Sequence, residues 1–338
     1  LLALAGIFEI GKAHLAHGRL GSGGQAYFIT SWDLFGDSLG GAMHDVWHLR
    51  HLLTAEDRRL ISLTLGNEGA IPQNEEQLDV LHQAVTACKT LNRILSPDLH
   101  WLTEQGQRFP VAVAKYLHMV ATRLHLTDAD LPEQFISSLS AFVRQTNSHV
   151  ATLNYDRLLY GAFIERGVLA GFDGSLVDGI TNAGFDSANL ERQWGRTFGY
   201  YLHLHGSPLF YTDIDRRVRK LQRHEINMFA ANPSDHIVLT HVAHKRSVIS
   251  ASPILITYWH YLHRALQEAS EIVVVGYSGC DTHLNEIIAM YGAHKHIRVI
   301  EWAASHFHPV RLSQWQTAFR STNLNLELHQ NILNNYAW

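Results

Sequence analysis

Residues 271–290, EIVVVGYSGCDTHLNEIIAM, carry the pattern that decides the fold class of this chain. The run from Glu271 to Val275 is almost entirely β-branched, which is typical of a strand buried on both faces. Gly276 ends this run, and a short polar turn leads into a helix predicted at Thr282–Met290. A buried strand followed by a glycine turn and a helix is half of the repeating unit of a parallel α/β sheet.

The same alternation of short apolar runs and helices extends through the chain after residue 147. Strands are predicted at His149–Leu153, Tyr200–His205, His236–Thr240, Glu271–Val275, Ile297–Ile300 and Leu324–Leu328. Helices are predicted between most of them, at Asp156–Arg166, Ile214–His224, Pro253–Ala269, Thr282–Met290 and Val310–Arg320. This alternation predicts an α/β fold with a Rossmann-like, doubly wound, mostly parallel sheet, in which ligands bind at the carboxyl ends of the strands.

The N-terminal half differs, because its apolar residues recur at helical spacing. Helices are predicted there at Ala42–Leu53, Glu75–Leu95, Val111–Leu126 and Leu131–Thr146. We therefore expect a helical subdomain inserted in the N-terminal half. The predicted divisions are residues 1–41 for a first strand and a glycine-rich nucleotide loop, residues 42–147 for the helical subdomain, and residues 148–338 for the Rossmann-like core.

The composition excludes several classes of protein. Of the 338 residues, 46% are hydrophobic and 17% are charged, which excludes intrinsic disorder. No apolar run reaches the roughly 18 to 20 residues of a membrane span, and the apolar start of the chain, which contains Glu9, is unlike a signal peptide. The two cysteines, Cys88 and Cys280, exclude a disulfide framework and a four-cysteine zinc site, and they favour a cytoplasmic location.

Histidine is unusually frequent, with 24 residues beside 27 Lys and Arg and 31 Asp and Glu. The formal charge is −4 with neutral histidines, and half-protonation near pH ~6.5 would add about 12 charges. The acidic balance argues against a dedicated nucleic-acid-binding protein. A basic run at 216–223 is predicted on a helix, and Asp213 and Asp215 beside it favour a solvated face with ion pairs over a nucleic-acid contact.

Two loops that follow predicted strands carry side chains suited to chemistry. In TLNYD at 152–156, Asn154 offers an amide donor and acceptor at a strand end, while Asp156 fits a cap of the following helix. In HLHGS at 203–207, strand alternation places both histidines on one face. His205 beside a glycine fits a general base, and a structural histidine fits the same position.

A third loop, GYSGCD at 276–281, lies between the decisive strand and its helix. Glycines next to a helix N-terminus suit the binding of a phosphate or a ribose. One such loop is a weak signal because α/β proteins contain many of them. The order and character of the three loops together are more specific.

Together the three loops resemble those of the sirtuin-like family. TLNYD at 152–156 is similar to the Thr-Gln-Asn-x-Asp strand end of sirtuins, with Leu153 in place of glutamine. Its Asn-Tyr-Asp form is similar to that of bacterial sirtuin-like NAD hydrolases of antiphage defence. HGS at 205–207 resembles the catalytic His-Gly block of the family, and GYSGCD at 276–281 resembles its late nucleotide-binding loop. The resemblance covers about residues 148–291.

The chain departs from the family in two respects. Deacylating sirtuins carry a four-cysteine zinc module, which two cysteines cannot supply, so the resemblance favours the NAD-cleaving branch without a metal. The family opens with a glycine loop after its first strand, and the best match here places cofactor contacts at Gly18, Gly21 and Ser22, with residues 35–38 as a second candidate. A glycine-rich surface turn explains the same residues, because large side chains interrupt the pattern.

The resemblance implies a NAD glycohydrolase that cleaves NAD to nicotinamide and ADP-ribose and depletes NAD during abortive infection by phage. The transition state of such a reaction resembles an oxocarbenium ion. The implied catalytic residues are Asn154 for a ribose hydroxyl or the attacking water, His205 as general base, and Asp156 for orienting the site. The implied cofactor-binding residues also include Thr152, Tyr155, Gly206, Gly276, Tyr277, Ser278 and Asp281.

The expected partners follow from the same resemblance. NAD is the expected substrate, and a homo-oligomer is expected as in relatives of the family. An unrestrained NAD hydrolase would empty its own cell of NAD. We therefore expect a trans-acting partner or a phage trigger that activates the resting protein.

The same sequence fits two other functions. His44, His48 and His51 share one helical face, with Asp45 where a zinc hydrolase has glutamate, although an amphipathic packing helix explains the same pattern. A non-catalytic module that binds NAD or ADP-ribose would keep the fold and lose the first glycine loop. That module predicts binding without turnover.

Overall fold

The computed structural model describes residues 2–5, 31–49, 53–93, 103–126, 130–193, 195–222, 225–226, 236–239, 242–303 and 308–338. In these ranges the helices α1 to α10 span Ser31–His48, Ala55–Thr64, Glu75–Arg93, Glu104–His125, Glu133–Thr146, Leu158–Glu165, Val242–Ala251, Pro253–Glu268, Thr282–Gly292 and His308–Phe319. The strands β1 to β11 span Leu2–Ala5, His149–Thr152, Leu176–Val177, Ile180–Thr181, Gly184–Phe185, Gly199–His203, Phe210–Thr212, Val218–Lys220, Glu271–Val275, His296–Trp302 and Leu324–His329.

A seven-stranded sheet with the order β11-β10-β9-β1-β2-β6-β3 organises the fold. Every pair of neighbouring strands in it is parallel. At the carboxyl end of the central strand β1, Ala5 lies opposite Thr152 of β2 on one side and Val275 of β9 on the other. The chain therefore winds outward in both directions from β1, which confirms the predicted α/β, doubly wound, mostly parallel sheet.

The buried strands follow from their composition. Residues Ile272–Val275 of β9 are each at most 1% exposed, because helices cover both faces of a parallel sheet. One face packs into a core cluster of apolar side chains from α5, α6 and the sheet, including Phe135, Leu139, Val150, Phe163, Tyr201 and Val273. Helix α8 packs against β6, and α9 packs against α8 and α10. These contacts hold the strand ends that carry the predicted site.

The chain groups into two compact units, each assembled from separated stretches. One unit comprises residues 1–35, 127–205 and 253–338 and contains the seven-stranded sheet. The other comprises residues 36–126 and 206–252 and contains helices α2, α3, α4 and α7, most of α1 and the β7–β8 hairpin. The domains predicted from sequence, with boundaries after residues 41 and 147, are each one continuous stretch of chain. These boundaries stay a prediction.

Helices α2, α3 and α4 of the second unit pack on one another. A capping box starts α2, because Thr54 Oγ1 accepts from the Asp57 backbone N–H and the Asp57 carboxylate accepts from the Thr54 N–H. Arg108 of α4 donates to the same carboxylate at 2.9 Å, which ties α4 to the start of α2. No helix in the described ranges is both long enough and apolar enough to cross a membrane.

The predicted helix Ile214–His224 is wrong. Residues 210–220 form the antiparallel hairpin β7–β8 instead. Asp213 closes its turn, because one carboxylate oxygen accepts from the N–H groups of Asp215 and Arg217 and the other contacts Arg219. Aspartate bonds of this kind compete with helix formation. The described part of the basic run, residues 216–222, is therefore not on a helix.

The strand predicted at His236–Thr240 is also not found in the described residues. Between 236 and 239 the backbone makes one isolated bridge, in which Ile237 pairs with Gly206. The run is apolar and buried, as a strand would be. Burial alone produced the strand-like pattern.

Two buried histidines should make stability depend on pH. Burial, with Arg192 nearby, lowers the pKa of His149 to about 4, and burial lowers the pKa of His118 to about 4. An unfolded histidine titrates near ~6.5, so the unfolded chain binds more protons between these values. The stability due to each neutral histidine is complete above pH ~6.5 and is lost as the pH falls through 4. We expect each of the two histidines to lower the free energy of unfolding by about 2 kcal/mol when the pH falls from 7 to 5.

Urea unfolding of wild type and His118→Gln at the two pH values measures this effect. The difference in unfolding free energy between pH 7 and pH 5 should be about 2 kcal/mol smaller in His118→Gln than in wild type. His294→Gln, which changes an exposed histidine, should leave this difference unchanged. An identical pH dependence in wild type and His118→Gln would contradict the assignment.

Candidate functional site

The loop after β2 begins at a buried strand end next to the centre of the sheet. Thr152 is 5% exposed and lies opposite Ala5 and His203 in the register of the sheet. Its Oγ1 accepts a 3.1 Å hydrogen bond from the Asn154 N–H. This bond fixes the backbone turn that carries Asn154, which is half-buried.

Asp156 and Tyr155 complete this loop. One carboxylate oxygen of the buried Asp156 accepts from the Leu158 N–H at 2.8 Å, at the start of α6. This is the helix-capping role that the sequence allowed for Asp156, and a role in orienting the site stays a prediction. The ring of Tyr155 is buried, with its centroid 6.4 Å from that of His205.

His205 lies two residues beyond β6, and the residue before it is held on both sides. The Leu204 N–H donates to the Thr152 carbonyl at 2.9 Å, and the Leu204 carbonyl accepts from the Trp259 indole N–H at 2.9 Å. Both groups of Leu204 belong to the backbone, so the position of His205 depends on hydrogen bonds to the main chain of the preceding residue. His205 itself is buried, with 9% of its surface exposed.

His203, the other histidine of this segment, has different surroundings. Its ring lies 4.7 Å from that of Tyr160, 5.0 Å from that of Tyr201 and 6.3 Å from that of Tyr258, between ring centroids. It is 4% exposed. His203 is therefore part of an aromatic core, which leaves His205 as the histidine available to the predicted site.

Gly206 is required by the backbone itself. Its φ is +79°, and a Cβ at this position would lie 1.6 Å from the backbone oxygen of His236. The close approach that the sequence predicted is therefore made to the protein main chain. A contact between Gly206 and a cofactor stays a prediction.

The loop after β9 is held by hydrogen bonds within the loop and to β10 and α9. The Gly276 N–H donates to the Ile300 carbonyl at 3.1 Å, which continues the sheet for one residue. The Tyr277 hydroxyl lies 3.1 Å from the Asp281 backbone nitrogen, from which it accepts, and 2.9 Å from Asn285 Oδ1. Asn285 Nδ2 donates to the Gly279 carbonyl at 2.7 Å.

Asp281 joins this loop to His205. One carboxylate oxygen caps α9 by accepting from the Leu284 N–H at 3.1 Å, and the other lies 3.4 Å from His205 Nε2. Strands β9 and β6 are separated by β1 and β2, so their axes are about 14 Å apart. The loop therefore crosses the ends of two strands to bring the carboxylate to the imidazole.

The pairing assigns different roles to the two nitrogens of His205. An ionised carboxylate only accepts hydrogen bonds, so beside an ionised Asp281 the hydrogen of the His205 ring lies on Nε2. Nδ1 is then the nitrogen that can receive a proton. A buried carboxylate beside an imidazole orients the ring and stabilises the imidazolium that forms, which is the arrangement of a general base and its orienting residue.

The other predicted contacts fall into two groups. Ser278 lies at the centre of the loop after β9, while Gly18, Gly21 and Ser22 lie outside the described residues. The second candidate for the first glycine loop, residues 35–38, falls within helix α1 and is therefore wrong as a loop. Strand β1 ends at Ala5.

The proposed zinc ligands are placed only in part. His44 and His48 lie on an exposed face of α1, with ring centroids 4.4 Å apart, and His51 lies outside the described residues. In the described part of the chain no three His, Cys, Asp or Glu side chains come together in a way that could hold a metal.

Comparison with known proteins agrees with the three loops. The family model of the SIR2-like domain matches residues 148–316, which is half of the chain and includes the loops after β2, β6 and β9. No curated protein is similar enough to count as a match. The predicted membership of the sirtuin-like family is confirmed by this match. The chain belongs to the family of proteins with a SIR2-like domain.

Proposed function

We propose that this chain is a NAD glycohydrolase, which transfers the ribose C1′ of NAD from nicotinamide to water. The products are nicotinamide, ADP-ribose and one proton. Membership of the family supports an NAD-related function. The observation that carries the hydrolytic reaction is the contact between His205 Nε2 and Asp281 Oδ2 at the carboxyl edge of the sheet.

The reaction requires a base and protection of a cationic centre. As the bond to nicotinamide breaks, positive charge develops on the ribose, and water must lose a proton as it attacks C1′. In the proposal His205 Nδ1 takes that proton, and Asp281 stabilises the imidazolium. The Asn154 amide offers both a donor and an acceptor for a ribose hydroxyl or the water.

The cysteine content supports NAD cleavage over protein deacylation within this proposal. Cys88 lies on α3 and Cys280 lies in the loop after β9, so the chain supplies two of the four thiolates of a sirtuin zinc module. The loops that resemble the family are those of the NAD site. We therefore favour water over an acylated lysine as the second substrate.

A biological role follows from the same resemblance. We propose that NAD depletion by this chain serves abortive infection in antiphage defence. A resting state, a homo-oligomer and an activating partner or phage trigger belong to this proposal, because constant turnover would be toxic. Co-purification and size-exclusion chromatography test it, and a lone, constitutively active monomer would contradict it.

Incubation of the purified chain with NAD, followed by chromatography of nicotinamide and ADP-ribose, tests the reaction. We expect equal amounts of the two products from wild type and from His294→Gln, and at least about 100-fold less from Asn154→Ala. His294 is exposed, so this variant controls for histidine replacement in general.

A binding measurement separates a resting enzyme from a wrong proposal. Cys280 is exposed in the loop after β9, whereas Cys88 is half-buried and can be removed as Cys88→Ser. We expect NAD to protect Cys280 from alkylation. Protection without turnover under any activating condition would indicate the non-catalytic binding module, and neither protection nor turnover would overturn the proposal.

A further inference from the structure

We infer that Arg311 is a positioning residue, which holds the loop after β9 in the shape that the proposed NAD site needs. The loop, residues 276–281, is called the GYS loop below. The inference rests on the proposed function because the GYS loop is the proposed nucleotide contact. Arg311 lies on α10 and touches the GYS loop through a backbone carbonyl.

The guanidinium of Arg311 joins the loop to a strand end. Its Nη2 donates to the Ser278 carbonyl at 2.8 Å. Its Nε lies 3.0 Å and 2.9 Å from the two carboxylate oxygens of Glu301, and Nη2 lies 2.5 Å from Glu301 Oε1. Glu301 is near the end of β10, so the loop is tied to the sheet through an ion pair.

The carboxylate of this ion pair is buried, and the guanidinium is largely shielded from solvent. The side chain of Arg311 is 12% exposed and that of Glu301 is 5% exposed. Removing one partner would leave the other charge buried and uncompensated, which is strongly unfavourable. The pair is therefore a rigid attachment point and not a fluctuating surface contact.

Trp315 adds a second contact from the same face of α10. It follows Arg311 by four residues, so the two side chains are neighbours on the helix surface. The Arg311 guanidinium lies 4.5 Å from the centre of the Trp315 ring, and the Tyr277 ring centroid lies 5.8 Å from it. A Cβ on Gly279 would lie 3.0 Å from the Trp315 ring. Three residues of the GYS loop thus pack against one helix face.

The contacts also define what Arg311 does not do. Its Nε and Nη2 are used by Glu301 and Ser278, and its Nη1 donates to Gln314 Oε1 at 3.1 Å. In Rossmann folds an acidic residue near a strand end commonly binds a ribose hydroxyl. Here both oxygens of Glu301 are bonded to Arg311, so this carboxylate serves the loop. Arg311 therefore acts through Ser278 and not on the substrate.

Arg311→Gln tests the inference by two independent readouts. In a Cys88→Ser background, alkylation of Cys280 should become at least about fivefold faster, because Cys280 lies on the released loop. The KM for NAD should rise by about tenfold while kcat changes by less than about threefold. The loop binds substrate, whereas Asp281, the loop residue that pairs with His205, is also held by its bond from the Leu284 N–H at the start of α9. Arg311→Lys should give an intermediate effect, because lysine cannot form the bidentate contact.

Arg298→Gln is the matched control. Arg298 also forms a bidentate pair, with Glu327 at 2.9 Å and 3.2 Å, and its side chain is 15% exposed. This pair joins β10 to β11 and does not include the GYS loop. We expect Arg298→Gln to leave Cys280 alkylation and KM unchanged even if it lowers the melting temperature.

The two proposals fail in different ways. If wild type neither binds nor cleaves NAD, the proposed function is wrong, and Cys280 alkylation alone decides whether Arg311 fixes the loop. If Arg311→Gln does not fold, Arg311→Lys supplies the same two measurements. Folded Arg311 variants with unchanged Cys280 alkylation would overturn the inference. It would also be overturned if Arg311→Gln had its full effect on alkylation in a chain that already carries Glu301→Gln.

Discussion

Replacement of His205 by glutamine is expected to lower kcat for NAD cleavage by about 10²- to 10⁴-fold while the protein stays folded. Glutamine can still donate a hydrogen bond toward Asp281, which lies 3.4 Å from Nε2 in the wild type. It cannot accept a proton from water at neutral pH. The change therefore removes the base and keeps the polar contact. Product chromatography gives kcat, and thermal unfolding confirms that the variant is folded.

Asp281→Asn provides the second member of the series. Asparagine is also a good N-cap, so the bond from the Leu284 N–H at the start of α9 should survive. The charge that stabilises the His205 imidazolium is lost, and we expect kcat to fall by about 10- to 100-fold. The double variant should be no slower than His205→Gln, because the two residues act as one unit.

Two outcomes would contradict this pairing. His205→Gln could retain activity within about threefold of wild type, in which case another group is the base. Alternatively, Asp281→Asn could reduce kcat by its full factor in the His205→Gln background as well. Asp281 would then act independently of His205, for example as the cofactor contact that the sequence predicted.

The sheet was predictable because its strands are buried on both faces. The run Glu271–Val275 was predicted with the bounds that the structure has, and His149–Thr152 differs from the prediction by one residue. A continuous β-branched run between a helix and a glycine has few alternatives. The hairpin at 210–220 was not predicted, because one aspartate, Asp213, decides the turn against the local helical preference.

The candidate site was predictable only in its individual loops. His205 and Asp281 were both selected from sequence, but their contact spans 76 residues and two intervening strands. No local pattern encodes that distance. Trp259 and Arg311 were missed for a related reason, because each one bonds to a backbone carbonyl, of Leu204 and Ser278. Every residue has a backbone carbonyl, so the residue type does not show which carbonyl accepts such a bond.

Gly206→Ala is expected to lower the free energy of unfolding by about 2–5 kcal/mol. An alanine at φ +79° costs about 1–2 kcal/mol, because its Cβ approaches the following carbonyl. The same Cβ would lie 1.6 Å from the His236 carbonyl oxygen, and displacing packed backbone costs about 1–3 kcal/mol more. Urea unfolding of wild type and variant at one pH measures the difference.

Gly161→Ala is the matched control for this prediction. Gly161 lies inside helix α6, and a Cβ there meets nothing within 4 Å. Alanine is the better helix former, so the same chemical change should raise the unfolding free energy by up to about 1 kcal/mol. Opposite signs for the two variants would show that the backbone at Gly206 requires glycine. If Gly206→Ala were as stable as wild type, the backbone at residue 206 would not require glycine. A cofactor contact would then be the better explanation of this glycine.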